Sequence, residues 1–216
     1  MQLSAELMLR AYAQGIFPMA RSADSSGLYW FEPAWRGVLP LERFHASRSL
    51  IRSFRRGGWR FSCDQAFDAV LAGCADREET WINAEIAAVF TELHAQGHAH
   101  SIEVRDAGGA LVGGVYGLAL GGAFFAESKF SRRTDASKLA LAELVARLSR
   151  GGFRLFDTQY LTAHLARLGA IEIPRAVYRS QLDAALAIAA DHRRAFAPVN
   201  PEAPSGAYWQ PITQTS

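Results

Sequence analysis

The chain has 216 residues, half of them apolar or aromatic and one fifth charged, with a formal net charge of +2. That composition excludes a disordered chain, and the length suffices for one packed domain with at most a small appendage, needing no disulfide or metal to fold. Cys63 and Cys74 form neither a C-x-x-C pair nor a metal-ligand pattern. No apolar run approaches 18 residues, and the opening MQLSAELMLRAYAQG lacks the basic and apolar regions of a secretory leader. The expectation is a cytoplasmic protein without a membrane span.

In chain order, Leu3 to Gln14 reads as a helix with Leu3, Leu7, Met8 and Ala11 on one face, stopped by Gly15. Ile16 to Met19, with Pro18, reads as a packed loop. Leu28–Phe31 and Arg36–Leu41 read as short strands. Ser47 is placed to cap a helix running to Arg56. A break near Phe44 predicts a small N-terminal α/β domain, residues 1–44, ahead of a larger domain, residues 45–216. Past Gly58 the pattern is more regular. Trp59–Cys63 is a strand, and Asp64 and Asn83 are placed to cap two helices. His98–Asp106, Ala110–Leu120 and Ala123–Ser131 form a meander with tight glycine turns. Asp135 is placed to cap a long helix ended by Gly151-Gly152, and Phe153–Asp157 is an apolar strand. Helices over Tyr160–Leu168 and Ala176–Ala190 flank a strand at Ile171–Ile173, and a polar tail follows Pro198.

Charge is unevenly placed. Residues 1–60 hold nine Arg against four acids, while the remainder carries fourteen basic and seventeen acidic residues. Arg48, Arg52, Arg55 and Arg56 recur at i, i+4, i+7 and i+8, one face of a helix. A basic end on a near-neutral protein suggests an anionic partner such as a nucleic acid backbone. Codon bias toward Arg accounts for their number but not for their clustering.

From residue 59 the order β-α-α-β-β-β-α-β-α-β resembles the GCN5-related N-acetyltransferase fold, so the fold class expected is α+β with a mixed sheet flanked by helices. In that fold the fourth and fifth strands, here Ala123–Ser131 and Phe153–Asp157, splay around an acyl donor. The loop Ser131–Ser137 has no glycine and contains Asp135, which disfavours the pyrophosphate of a CoA thioester.

The strings GIFPM (15–19), YWFEP (29–33), HASRSL (45–50), TWI (80–82), LHAQGHAHSIEV (93–104), LVGGVYGLA (111–119), ESKFS (127–131), ASKLAL (136–141), FDTQ (156–159) and HLARLGAIEIPR (164–175) occur in order. Together they resemble the bacterial leucyl/phenylalanyl-tRNA–protein transferase family from about Leu3 to Leu182. The resemblance implies transfer of Leu or Phe, less well Met, from Leu-tRNA or Phe-tRNA to proteins with N-terminal Arg or Lys, marking them for N-end-rule degradation. It implies a monomer, no cofactor and no metal, because the ester donor is already activated. Two other readings fit part of the pattern. One is another acyltransferase of the same fold, aminoacyl-tRNA-dependent or CoA-dependent; the other is a non-catalytic RNA-binding adaptor.

By residue type alone, Trp30 and Trp81 read as core, Glu127 as an ion-pair partner, Asp157 as a helix cap and the arginine face as solvated. Under the resemblance Trp30 and Trp81 become two walls for the terminal adenine. Val115 lines a pocket for an apolar side chain unbranched at Cβ, and Glu127 becomes an acid close to the reacting amines. Asp157 accepts a hydrogen bond from the Gln159 side-chain amide, and Gln159 thereby offers its carbonyl oxygen to the attacking amine. Arg48, Arg52, Arg55 and Arg56 contact tRNA phosphates.

Overall fold

A computed structural model describes residues 3–25 and 27–198. The tail beyond Pro198 lies outside the described residues. In chain order the elements are α1 (Ala5–Ala13), β1 (Phe17–Ala20), β2 (Leu28–Phe31), β3 (Trp35–Val38), α2 (Arg48–Arg55), β4 (Trp59–Cys63), α3 (Phe67–Ala75) and α4 (Ala84–Ala95). Then come β5 (Ala99–Asp106), β6 (Leu111–Leu120), β7 (Ala123–Ser131), α5 (Ala136–Arg150), β8 (Leu155–Gln159), α6 (Ala163–Ala166), β9 (Ile171–Pro174), α7 (Arg175–Leu186) and α8 (His192–Ala195). This is an α+β fold. Seven strands form one mixed sheet in the order β4-β5-β6-β7-β8-β3-β9, and β1 and β2 form a separate ribbon.

Strand alternation explains the layering. Phe124 and Phe156 face one side of the sheet, where α2, α5 and α8 cover Trp59, Val104, Leu141 and Phe196. Phe125 and Leu155 face the other, where α1, α3, α4 and α7 bring Tyr12, Val70, Phe90 and Tyr178. Both faces are buried, so β6 reads as the nearly unbroken apolar run LVGGVYGLAL.

Several local signals hold. Ser47 and Asn83 each accept the backbone N–H three residues on, capping α2 and α4 as expected, while Ser4, inside the helix expected from Leu3, caps α1 instead. Others do not. Asp64 has φ 58° and caps no helix; its carboxylate takes the Ser101 N–H at 2.8 Å and faces His100 Nδ1 at 2.7 Å. Asp135 stands before α5 with φ 72°, its carboxylate turned to Lys138 Nζ at 2.7 Å rather than to the helix N–H groups. Pro18 sits within a strand, not a packed loop: β1 pairs only with β2, and an edge position tolerates the missing N–H. The helix expected over Tyr160–Leu168 shrinks to Ala163–Ala166. The one expected over Ala176–Ala190 ends at Leu186, and Asp191 starts α8 by accepting the Arg194 N–H.

The main topological finding is β3. Trp35–Val38, in the stretch read as a small N-terminal domain, lies in the large sheet between β8 and β9. It closely approaches the backbone just after β8: a Cβ on Gly37 would stand 2.5 Å from the Tyr160 carbonyl carbon and 2.7 Å from the Leu161 nitrogen. Only glycine fits there. Gly37→Ala is therefore expected to cost roughly 3 kcal/mol in urea unfolding. A loss below about 0.5 kcal/mol, that of an ordinary surface substitution, would show that β3 and β8 part freely.

Candidate active site

β7 and β8 run parallel but pair only from Ala123–Leu155 to Phe125–Asp157. Beyond that point the partners diverge, and a cavity of about 670 Å³ opens between them. Its apolar part includes Phe17, Met19, Trp81, Val115 and Leu141. Its polar part is set by two irregularities. Between β6 and β7 the register slips, Tyr116 facing Ser128 and Gly117 facing Ala126, so Glu127 is the extra residue of a bulge. A bulge re-aims a side chain, and here Glu127 lines the cavity while only 8% exposed. At the end of β8, Gln159 has φ 56°, a left-handed backbone held by its surroundings. Its Nε2 donates to Glu127 Oε1 at 2.9 Å. The carbonyl oxygen of Gln159 is then the atom left for a donor in the cavity.

Asp157 lies behind this pair. It is wholly buried and does not line the cavity. Its carboxylate accepts Arg36 Nε at 2.9 and 3.1 Å, Arg36 Nη2 at 2.6 Å, the Tyr178 hydroxyl at 2.7 Å and the Gln159 backbone N–H at 2.8 Å. The link between Asp157 and Gln159 is thus through the backbone, not through the Gln159 side-chain amide, whose partner is Glu127. Arg36 is 1% exposed, lies between the rings of Phe17 and Tyr178 at 4.5 and 4.6 Å, and donates Nη1 to the Gly15 carbonyl.

One guanidinium serves two neighbouring carboxyls, and its direct bonds go to Asp157. Burial pushes the Glu127 carboxyl up to about 8. The negative charge of Asp157 adds to this, while the facing Tyr12 hydroxyl, Arg36 and the Gln159 amide oppose it. A carboxyl that exchanges its proton near neutral pH beside a carboxamide is equipped for proton transfer.

The structure brings Trp81, Val115, Glu127 and Gln159 to one cavity. Trp30 is not in its lining; it is 39% exposed on β2, opposite Pro18, whereas Phe17 and Met19 on the alternate face of β1 line the cavity. Arg48, Arg52, Arg55 and Arg56 are exposed at α2, which packs on α5, and none lines the cavity. Sequence reasoning missed Arg36 and Tyr178. A charged residue in the apolar run Trp35-Arg36-Gly37-Val38-Leu39 was the available signal for Arg36; Tyr178 carried none. It also missed the cationic rim of Arg77, Lys129 and Arg132.

An apolar enclosure beside a buried acid–amide pair, opened by the parting of two parallel strands, can hold an apolar group next to a carboxyl that exchanges a proton. Comparison with known proteins makes this specific. The leucyl/phenylalanyl-tRNA protein transferase family model matches residues 38–183, and the model of that family's N-terminal domain matches residues 1–34. A leucyl/phenylalanyl-tRNA–protein transferase of Ruegeria pomeroyi is 59% identical over 216 residues, all of both chains. One of Cereibacter sphaeroides is 61% identical over 184 residues, 85% of this chain and 86% of that one. Among solved structures, L-PGS from Bacillus licheniformis is similar at a TM-score of 0.42 and 14% identity, over 70% of this chain and 51% of that one. The chain belongs to the leucyl/phenylalanyl-tRNA protein transferase family.

Removing Arg36 would leave Asp157 buried without its counter-charge, a defect of about 3–5 kcal/mol. Arg36→Met is expected to lose that much in urea unfolding. Adding Asp157→Asn to it should recover part of the loss, and a fully additive double mutant would show that the two side chains are energetically independent.

Proposed function

We propose that the protein transfers Leu or Phe from aminoacyl-tRNA to the α-amine of a protein beginning with Arg or Lys. The observation that carries this reading, beyond family membership, is the Glu127–Gln159 pair at the edge of the apolar cavity. The element order and the parting of β7 and β8 support a GCN5-related N-acetyltransferase-like catalytic body. The small N-terminal domain read over residues 1–44 overlaps the stretch matched by the separate N-terminal family model, residues 1–34.

The reaction is aminolysis of an ester. The amine nitrogen bonds to the carbonyl carbon, the bond from that carbon to the ribose 3′-oxygen breaks, and the amine proton ends on the departing oxygen. The donor side chain lies in the apolar cavity against Val115, with the adenine on Trp81. Trp30, exposed on the ribbon whose other face lines the cavity, is placed for the nucleic acid just beyond it. Gln159 orients the attacking amine through its carbonyl oxygen, and Glu127 receives the amine proton and passes it to the departing 3′-oxygen. A carboxamide oxygen is too weak a base for that step, whereas a carboxyl near 8 matches an α-amine whose own value is about 8. Asp157 touches neither substrate; it holds the Gln159 backbone and thereby positions the amide. Positioning of amine and ester is the other large contribution, on the order of several kcal/mol. The arginine face of α2 holds tRNA phosphates without reading sequence, which suits acceptance of several tRNA species.

The direct test mixes the protein with labelled Leu-tRNA and a peptide beginning with Arg. Label in the peptide supports transfer; tRNA binding without transfer would reduce the protein to an adaptor. In the same assay, Glu127→Gln separates proton acceptance from packing. For the parent, kcat/KM should rise from pH 6 to 9 with two ionisations, the amine and Glu127. The variant should retain only the amine's and lose about 100-fold in kcat.

Stability should move the opposite way. The folded-state value of Glu127 lies above the ordinary 4.5, so the folded protein holds a proton that the unfolded chain releases. Its contribution is present below 4.5 and is lost as pH rises to about 8. Glu127→Gln removes this loss and is expected to be more stable than the parent above pH 8, on the order of a few kcal/mol. An active Glu127→Gln with an unchanged pH profile would end the proton-acceptor role.

A further inference from the structure

We propose that Lys129, Arg77 and Arg132 form a phosphate subsite on the cavity rim, which takes the phosphodiester entering the 3′-terminal nucleotide of the donor. The inference rests on the aminoacyl-tRNA reading above and deepens it.

All three side chains line the same cavity as Trp81, Val115, Glu127 and Gln159. Arg77 is fixed against β7 by donating Nη2 to Ser128 Oγ at 2.9 Å and to the Lys129 carbonyl. That puts a guanidinium beside the half-buried Lys129. Among the described residues no carboxylate pairs with Lys129, and its ammonium is pushed down, by burial first and then by Arg77. His164, also in the lining, is likewise lowered by burial, and then by Lys129, Lys138 and Arg167.

One nearby acid, Asp76, lines the cavity and pairs within the rim itself, and the other is held outside it. Asp76 lies 3.6 Å from Arg132, with both side chains exposed, and Asp135 is held by Lys138 at 2.7 Å. The carboxylate that would repel a phosphate in the loop before α5 is therefore paired. Ser128 and Ser137 add hydroxyls to this wall, and Ser137 lies in the first turn of the 15-residue α5, whose N-terminal end favours an anion. Among the described residues neither Lys129 nor Arg77 has a carboxylate partner, and cations so crowded mark a place completed by an anionic ligand.

Spacing selects which anion. Lys129 follows Glu127 by two residues on β7, roughly 7 Å along a strand. A ribose spans a gap of that size between its 3′-oxygen and its 5′-phosphate. With the reacting ester at Glu127 and the adenine on Trp81, the 5′-phosphate of the terminal adenosine falls at Lys129. The arginines of α2 would hold the tRNA body, so the two cationic surfaces serve different parts of one substrate.

The test compares three donors: leucyl-adenosine, which has no phosphate, a leucyl-CpCpA trinucleotide, and Leu-tRNA. Lys129→Met is expected to lower kcat/KM for the trinucleotide about fivefold more than for leucyl-adenosine. It should also reduce the salt slope for Leu-tRNA by about one. Lys129→Arg should restore both, and Arg132→Gln should repeat the pattern. Arg52→Ala with Arg56→Ala should penalise Leu-tRNA alone. A loss equal for the phosphate-free and trinucleotide donors, or none, would overturn the subsite while leaving aminoacyl transfer intact.

A parent protein inactive with every donor would instead refute the transfer reading, and a binding measurement decides the subsite independently. By calorimetry AMP should bind the parent more tightly than adenosine, and Lys129→Met should erase the difference. Equal binding of AMP and adenosine by the parent would refute the subsite.

Discussion

The buried ion pair of Arg36 and Asp157 is the interaction on which the site depends. One guanidinium reaches the end of β8 through Asp157 and the end of α1 through the Gly15 carbonyl, and it packs between rings from β1 and α7. These segments are far apart in sequence. Taking both charges out of water carries a large desolvation cost, and a buried pair is weak support for net stability. Its consequence is specificity of arrangement. Asp157 has a single place to be, and through the Gln159 N–H it holds a backbone conformation, φ 56°, that an unsupported glutamine rarely adopts.

The same pair divides the two carboxyls of the site by environment. Asp157 takes three bonds from Arg36 and one from Tyr178. Glu127, buried at the edge of the cavity, is left with weaker partners, and it holds its proton far above the usual carboxylate range. Two acids in neighbouring positions thus acquire different tasks because only one of them is bonded to the cation. In the proposed reading the first is structural and the second moves the proton.

The sheet supplies the rest by departing from regularity. The parallel pairing of β7 and β8 stops at Asp157, and the space beyond it is the cavity. The bulge at Glu127 turns an acid inward just past the apolar start of β7. Gly117 stands opposite Ala126 at this bulge, where a Cβ would collide with the Phe125 carbonyl oxygen and the Phe124 ring. Close backbone approach, more than side-chain filling, shapes this part of the molecule.

The amino-acid sequence determined most of the elements and their order, but not β1 or α8. Caps at Ser47 and Asn83, the glycine turns of the meander and the period of α5 act over a few residues, so they are visible without tertiary contacts. Family motifs singled out Trp81, Val115, Glu127, Asp157 and Gln159 as residues of interest. Tertiary structure decided what each of them touches. Asp64 and Asp135 have the residue type of a cap but are drawn off by His100 and Ser101, and by Lys138. Asp157 meets the backbone rather than the side chain of Gln159 because a left-handed residue breaks the strand alternation that spacing assumes. Arg36 and Tyr178 reach Asp157 across 121 and 21 residues, and Trp35–Val38 joins a sheet whose other strands begin at residue 59. Neither follows from local propensity, because both depend on where distant burial and backbone pairing place the chain.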